Sequence, residues 1–308
     1  MQEPDLTILE EISMTKLMAR LIGAAALCAA LSGLPAQAQE PEQYTTFERY
    51  GVCGSIDESC YNPWHNRTEG EEEPWKVLIY YHVAPGVNPH DNLEAGVAAL
   101  TALFEGEGYE VTASNDPATF ESAGNIRSMD TIVFFSTGRE ALTDLGKHQL
   151  MLYMRGGGGF VGVHNAFGTS YSWTWYEGLL GGQLFNHGPR QQGTVLVQSE
   201  NDPSVAHIEE GTFFIEEEWY NIYPDPRKLS DINILLTVDE ATMTQGQSDT
   251  HPGMGEGHPV SWCHYYDGGR AWMTVLGHSH DILEDQNFLQ HVLAGVDGTM
   301  GKGDFCLQ

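Results

Sequence analysis

Histidine is the residue type in this chain whose placement points to chemistry. Six lie where strands should end or loops begin: His82, His164, His187, His258, His278 and His280. A neutral imidazole offers a lone pair and titrates near physiological pH, so it can carry a proton or bind a metal. No H-E-x-x-H or other compact ligand spacing is present, so any cluster must be assembled by the fold. His82 and His164 each close a short apolar run, and in a parallel sheet both would point to the same edge. The expected ligand set for zinc or a similar divalent ion is His82, His164 and His187, with His278 as substitute or support and a carboxylate nearby. The plain alternative is that these histidines bond carbonyls and cap turns.

Other residue types extend the pattern. Glu216-Glu217-Glu218 runs into Trp219-Tyr220. A carboxyl packed beside tryptophan can have its pKa raised and so do acid or base work, although three adjacent glutamates cannot all be buried. Trp173, Trp175, Tyr176 and Trp219 offer flat faces that suit sugar rings, or else they fill core. Trp262, at mid-strand, reads as core. Arg270 either holds a sugar hydroxyl or carboxylate or pairs with an acid. His251 and His258 sit in a long Gly/Met-rich loop that could serve as a lid.

These residues need elements to position them. The stretch Arg155 to Tyr176, RGGGGFVGVHNAFGTSYSWTWY, puts four glycines before the strand Phe160–Val163 and His164 at its end. The glycines precede the strand and do not open a helix after one, so they read as a helix stop and tight turn, with no nucleotide bound there. Lys76–His82 and Thr131–Phe135 are further apolar runs of the kind buried on both faces of a parallel sheet. Helical spacing over 91–105 and 142–154 separates the strands, giving βαβ units with right-handed crossovers. The second half carries strands at 194–197, 212–215 and 233–237, then a hairpin, 259–266 and 270–276, around Asp267-Gly268-Gly269. A helix at 286–296 follows. One elaborated α/β domain over 75–308 fits better than two.

The segments before that domain differ from it. Met14 opens a charged n-region (Lys16, Arg20), an apolar stretch and Ala36-Gln37-Ala38, the pattern of a secretory signal peptide. Residues 1–38 are therefore read as extension plus signal, and 39–74 as an exposed segment. The expected location is periplasmic or secreted, with no stable membrane insertion after cleavage. The formal net charge of −29 argues against nucleic acid and anionic membranes as partners. Four cysteines remain beyond the signal, an even number in an exported chain. Of the three pairings open to four cysteines, Cys53–Cys60 and Cys263–Cys306 are favoured, because they staple an N-terminal loop and tie the tail to a strand. With no C-x-x-C pair, zinc held by cysteines is disfavoured.

Several segments together resemble the trehalose-utilisation (ThuA-like) family: Gly158 to Ala166, Trp175-Tyr176 with Gly181-Gly182, Asn186-His187, Glu217 to Tyr220, His258 to Trp262, and Gly269-Arg270 through Gly277-His278. The resemblance implies the flavodoxin-like α/β fold of class I glutamine amidotransferases, a three-layer sandwich with a mainly parallel sheet elaborated in its C-terminal half. It implies a link to disaccharide and 3-keto-sugar metabolism, and it singles out Glu218 by motif position. Amidotransferase chemistry needs a cysteine at the strand-to-helix turn, where this chain has His164. A G-x-S-x-G elbow is absent too. The resulting expectation is an exported carbohydrate-active lyase or hydrolase, or an isomerase, acting on a glycoside or oligosaccharide. His164, His187 and Glu218 would be catalytic, Trp173, Trp175, Tyr176, Trp219 and Arg270 would bind substrate, and a divalent metal would assist. The alternative is a non-catalytic saccharide-binding protein on the same fold. The sequence does not specify an oligomeric state.

Overall fold

Apolar runs dictate the centre of the molecule. In the computed structural model Val77, Ile79, Ile132, Val133, Phe134, Phe160 and Val161 are all fully buried, which requires layers on both faces of their sheet. The structure describes residues 43–65, 74–208, 212–243 and 253–308. The expected signal segment, the Glu69–Glu73 run and His251 lie outside the described residues. In chain order the elements are α1 (Thr46–Tyr50), β1 (Gly54–Ser55), β2 (Lys76–Tyr80), α2 (Leu93–Gly106), β3 (Glu110–Ser114), α3 (Ala123–Arg127), β4 (Thr131–Phe135), α4 (Asp144–Arg155) and β5 (Gly159–Val163). Next come α5 (Thr174–Leu180), β6 (Gln183–His187), β7 (Gln191–Val197), β8 (Thr212–Glu217), β9 (Tyr220–Tyr223), β10 (Asn233–Asp239), β11 (His258–Tyr266), β12 (Gly269–Thr274) and α6 (Gln286–Met300).

The main sheet runs β3-β2-β4-β5-β12-β11-β10-β7-β8. From β3 to β12 every pairing is parallel, in the strand order of flavodoxin-like folds. The C-terminal elaboration is antiparallel: β11, β10, β7 and β8 extend the sheet beyond β12. A separate antiparallel ribbon, β6 with β9, stands apart from the main sheet.

Close helix–sheet contact rests on small residues. A Cβ on Gly96 of α2 would sit 2.2 Å from the Phe135 ring, and one on Gly295 of α6 would sit 2.5 Å from Trp272. Truncating a buried ring such as Phe135 to alanine would cost about 3–5 kcal/mol. Helix α4 opens on Thr143, whose hydroxyl accepts from Gly146 N–H, and stops at Gly156. Gly157 follows at φ +101°, against the carbonyl of Asn62. The four glycines thus end a helix and make a tight turn into β5.

Both disulfides, Cys53–Cys60 and Cys263–Cys306, are formed. Residues 43–65 keep much of their surface exposed yet are docked onto the domain. Thr46 donates its N–H and hydroxyl to Asp231, each at 2.8 Å, and β1 pairs with the end of β11. Among the described residues no helix is long and apolar enough to cross a membrane.

Candidate functional site

His164 follows the last residue of β5 at the carboxyl edge of the parallel strands. It is fully buried and holds the left-handed conformation, φ +53°, a strained state for a non-glycine residue that accumulates at functional sites. Gly277, at φ +130°, makes room: a Cβ there would lie 3.1 Å from that of His164. His164 Nδ1 lies 2.9 Å from the carbonyl of Val275. A carbonyl only accepts, so Nδ1 carries the proton and Nε2 keeps its lone pair. That lone pair faces the Tyr220 hydroxyl at 3.0 Å. Burial, then the neighbouring His90, His278 and His187, hold the His164 pKa well below the usual range, although its bond to Val275 pulls the other way.

Two loops bring further imidazoles to this edge. His90 lies between β2 and α2, and its ring centroid is 4.7 Å from that of His164. His278 lies beyond β12, with ring centroids 5.1 Å from His90 and 5.3 Å from His164. Each residue offers one nitrogen such that the three atoms lie within 4.8 Å of one another. Burial lowers the pKa of His90, and it lowers that of His278 to about 4 with help from His90 and Arg190. All three rings are therefore neutral at pH 7.

The His278 loop is held on two sides. Asn92, fully buried, donates its amide to the carbonyls of Gly277 at 2.9 Å and Ser279 at 3.3 Å. Glu217, also fully buried, accepts the N–H groups of Gly277 at 3.1 Å and His278 at 3.0 Å. Between these clamps His278 turns Nε2 towards Glu218 Oε1 at 3.3 Å. Its Nδ1 is buried with no hydrogen-bond partner. An orphaned ring nitrogen beside two neutral imidazoles, with a carboxylate and a carbonyl orienting the rings from behind, fits a divalent ion of the zinc type. A metal on His164 Nε2 would have to displace the Tyr220 hydroxyl from that lone pair.

His187 ends β6, opposite Tyr220 in the ribbon. Its Nδ1 donates to Gly188 O at 2.8 Å and lies 3.7 Å from Glu218 Oε1. Its ring packs 5.4 Å from that of Tyr220. The half-buried Glu218 has its pKa raised by burial, with His187 and Arg190 opposing. Burial, with Glu218 and Glu217 nearby, pushes the Tyr220 phenol well above its usual value, so it keeps its proton.

The fold brings together four of the residues singled out in the sequence, His164, His187, His278 and Glu218, and adds His90, Glu217 and Tyr220. His82 is not brought in. Strand β2 ends at Tyr80, and His82 turns its Nδ1 to Asn115 O at 2.7 Å. His90 carried no motif. Its only sequence signal was its place in a loop after a parallel strand, at the edge where ligands of such sheets bind.

The expected saccharide-facing aromatics need correction. Trp175, Tyr176 and Trp219 are buried, with polar tips bonded to Asp267, Ala166 O and Gln191 O at 2.8, 3.1 and 3.0 Å. Trp173, partly buried, stacks on Trp175 and Tyr176. Trp175 and Tyr176 are core because they lie in the first turn of α5 on its buried side, and Trp219 because its ring lies against Gly193 of β7. Arg270 pairs in register with Gly159 at the start of β5, while His164 follows its end. It is thus at the opposite edge, roughly 16 Å away at strand spacing, stacked on Tyr61. His258 opens β11 and is fully buried, with its ring nitrogens on Glu240 and the Tyr220 carbonyl, so it belongs to no lid. A surface hollow lined by Thr237, Asp239, Glu240 and Gly255 shares no lining residue with the imidazoles.

Comparison with known proteins agrees with this architecture. The family model ThuA, described as trehalose utilisation, matches residues 76–297. A protein described as ThuA-like from Bacteroides uniformis superposes with a TM-score of 0.58 at 20% identity, covering 77% of this chain and 96% of its own. Another, from Parabacteroides merdae, gives a TM-score of 0.60 at 16% identity, covering 75% and 91%. At these identities the likeness shows the fold alone. No curated protein matches the sequence.

Proposed function

The chain belongs to the ThuA, or trehalose-utilisation, family, and from that premise we propose that it is an exported enzyme acting on a glycoside or oligosaccharide, with a keto-type sugar as its substrate. The observation that carries this reading is the packing of His90, His164 and His278 around one point, beside Glu218 and His187. His90, His164 and His278 would hold a divalent ion of the zinc type, which when bound polarises a sugar oxygen.

The chain's own residues would supply the rest. Glu218 is half-buried with a raised pKa and touches two imidazoles, which suits it to take a proton from the carbon next to a sugar carbonyl or from a hydroxyl. His187, across from it, would return a proton to the departing oxygen. Tyr220 retains its phenolic proton and, once an ion takes the His164 Nε2 lone pair, would donate to a bound oxygen instead. The two disulfides are consistent with export, because such bonds persist in oxidising compartments.

The test is elemental analysis and turnover on protein prepared without chelators or a histidine tag. Wild type should hold close to one ion per chain and convert keto-glycosides. His164→Ala and His278→Ala should each lower metal affinity at least tenfold and abolish turnover. A metal-free wild type with full turnover would overturn the metal assignment and leave proton transfer by Glu218 and His187. Saccharide binding without turnover in the metal-loaded wild type would make the protein a non-catalytic binder.

A further inference from the structure

Asn92 stands where a helix is usually capped, and it does not cap. It precedes Leu93, the first residue of α2, and its side chain makes no capping bond to that helix, although accepting a backbone N–H there is what an asparagine at this position ordinarily does. Its amide reaches across the fold instead. Fully buried, it donates to the carbonyls of Gly277 and Ser279, the residues on either side of His278. Exchanging its oxygen and nitrogen would set an oxygen against two carbonyls, so the partners fix which atom is which. Its Oδ1 is then buried with no hydrogen-bond partner. A cap forgone and a buried acceptor left bare are two local costs on one residue, and such costs persist where they serve a site.

The backbone shows which site. Leu93 N–H donates to the His90 carbonyl at 3.2 Å. Asn92 sits at φ −88°, ψ 2°, the values of the third position of a type I turn, here one that begins at His90. His90 and Asn92 are therefore parts of one closed turn. The other two imidazoles belong to the segment 275–279: His164 donates to Val275 O at 2.9 Å, and His278 lies within it. Asn92 thus joins the turn that carries His90 to the segment that holds the other two rings. Across this tie the ring centroids of His90 and His278 are 5.1 Å apart.

Resting on the metal reading of the imidazole site, we infer that Asn92 is a positioning residue: by bonding Gly277 O and Ser279 O from the His90 turn, it sets His90 and His278 at the spacing that one divalent ion needs. Groups that hold metal ligands from behind act on affinity in this way without touching the ion.

Zinc(II) titration against a chromophoric chelator, together with the visible spectrum of the cobalt(II)-loaded protein, tests this on the full chain. Asn92→Ser keeps a hydroxyl that can cap α2 but has a single proton and cannot bond both carbonyls. Wild type should bind close to one zinc(II) per chain. Asn92→Ser should bind it roughly ten- to a hundredfold more weakly, the range for residues that orient metal ligands, and its cobalt(II) spectrum should change. Leu100→Ala is the control. Leu100 is fully buried in the same helix, about two turns beyond Asn92, and its truncation lowers the melting temperature by removing core. Its zinc(II) affinity should stay within about twofold of wild type, with an unchanged cobalt(II) spectrum. If Asn92→Ser fails to fold, Asn92→Asp keeps the shape, removes the donors and should show the same loss. Wild-type affinity and spectrum in the Asn92 variant overturn the inference and leave the metal site standing. An equal fall in Leu100→Ala assigns the effect to stability and also overturns it. A wild type that binds neither ion removes both readings.

Discussion

Glu217 acts on the imidazoles through the backbone of the loop that carries His278. Its carboxyl accepts the backbone N–H groups of Gly277, His278 and Glu218, yet burial outweighs them and lifts its pKa to about 8. Below the ordinary carboxylate range both folded and unfolded chains hold this proton, and its contribution to stability is complete. As pH rises from about 4.5 towards 8 the unfolded chain releases the proton first, so stability is lost across that window. Glu217→Gln does not titrate. Its melting temperature should therefore fall less between pH 5 and pH 8 than that of wild type, measured by circular dichroism. An equal fall in both would show that the carboxyl is ionised throughout. Glu217 and Glu218 are neighbours in an acidic run, and nothing in their sequence says which is buried. Strand alternation decides it, because β8 ends with Glu217 facing inward.

At the scale of elements, the parallel core was the most legible part. Runs such as Val77–Tyr80 and Ile132–Phe135 are apolar throughout and separated by helical spacing, which leaves little freedom for the sheet. The ribbon was not legible in this way. QLFNH and YNIY are short, and their pairing depends on a distant partner. The aromatic cluster at α5 misled for a related reason: its composition suits either core or ligand, and only packing separates the two. The cysteines were legible because each favoured pair closes a local loop or ties an end. Cys263–Cys306 spans 43 residues and Cys53–Cys60 spans 7. By loop entropy the former should contribute about 4 kcal/mol and the latter about 2–3 kcal/mol. Urea unfolding of Cys263→Ser/Cys306→Ser should therefore show the larger loss. A larger effect from the short loop would mean that docking of residues 43–65, and not chain entropy, dominates.

At the scale of the whole molecule, acidic residues outnumber Lys and Arg by 43 to 14. A net charge of −29 gives a self-repelling surface, with ion pairs such as Arg155–Asp267 and Arg190–Glu216 offsetting it only locally. The screening length is about 8 Å at physiological ionic strength and shortens further as salt is added, so added salt should stabilise the fold. The melting temperature should rise by several degrees between low salt and about 0.5 M sodium chloride, as read by calorimetry. A fall would mean that the surface ion pairs outweigh the net repulsion.

His90, His164 and His278 come from a loop near the start of the domain, from the turn after its middle strand β5 and from a loop near its end. No partly made or half-folded chain can bring them together. An ion held there would act as a clasp across the entire sequence, favouring only the finished fold. A chain that crosses a membrane unfolded would pass through its first compartment unable to load. It would then draw its ion from the pool where folding is completed, so the identity of the metal would be set by the place of folding as much as by ligand chemistry.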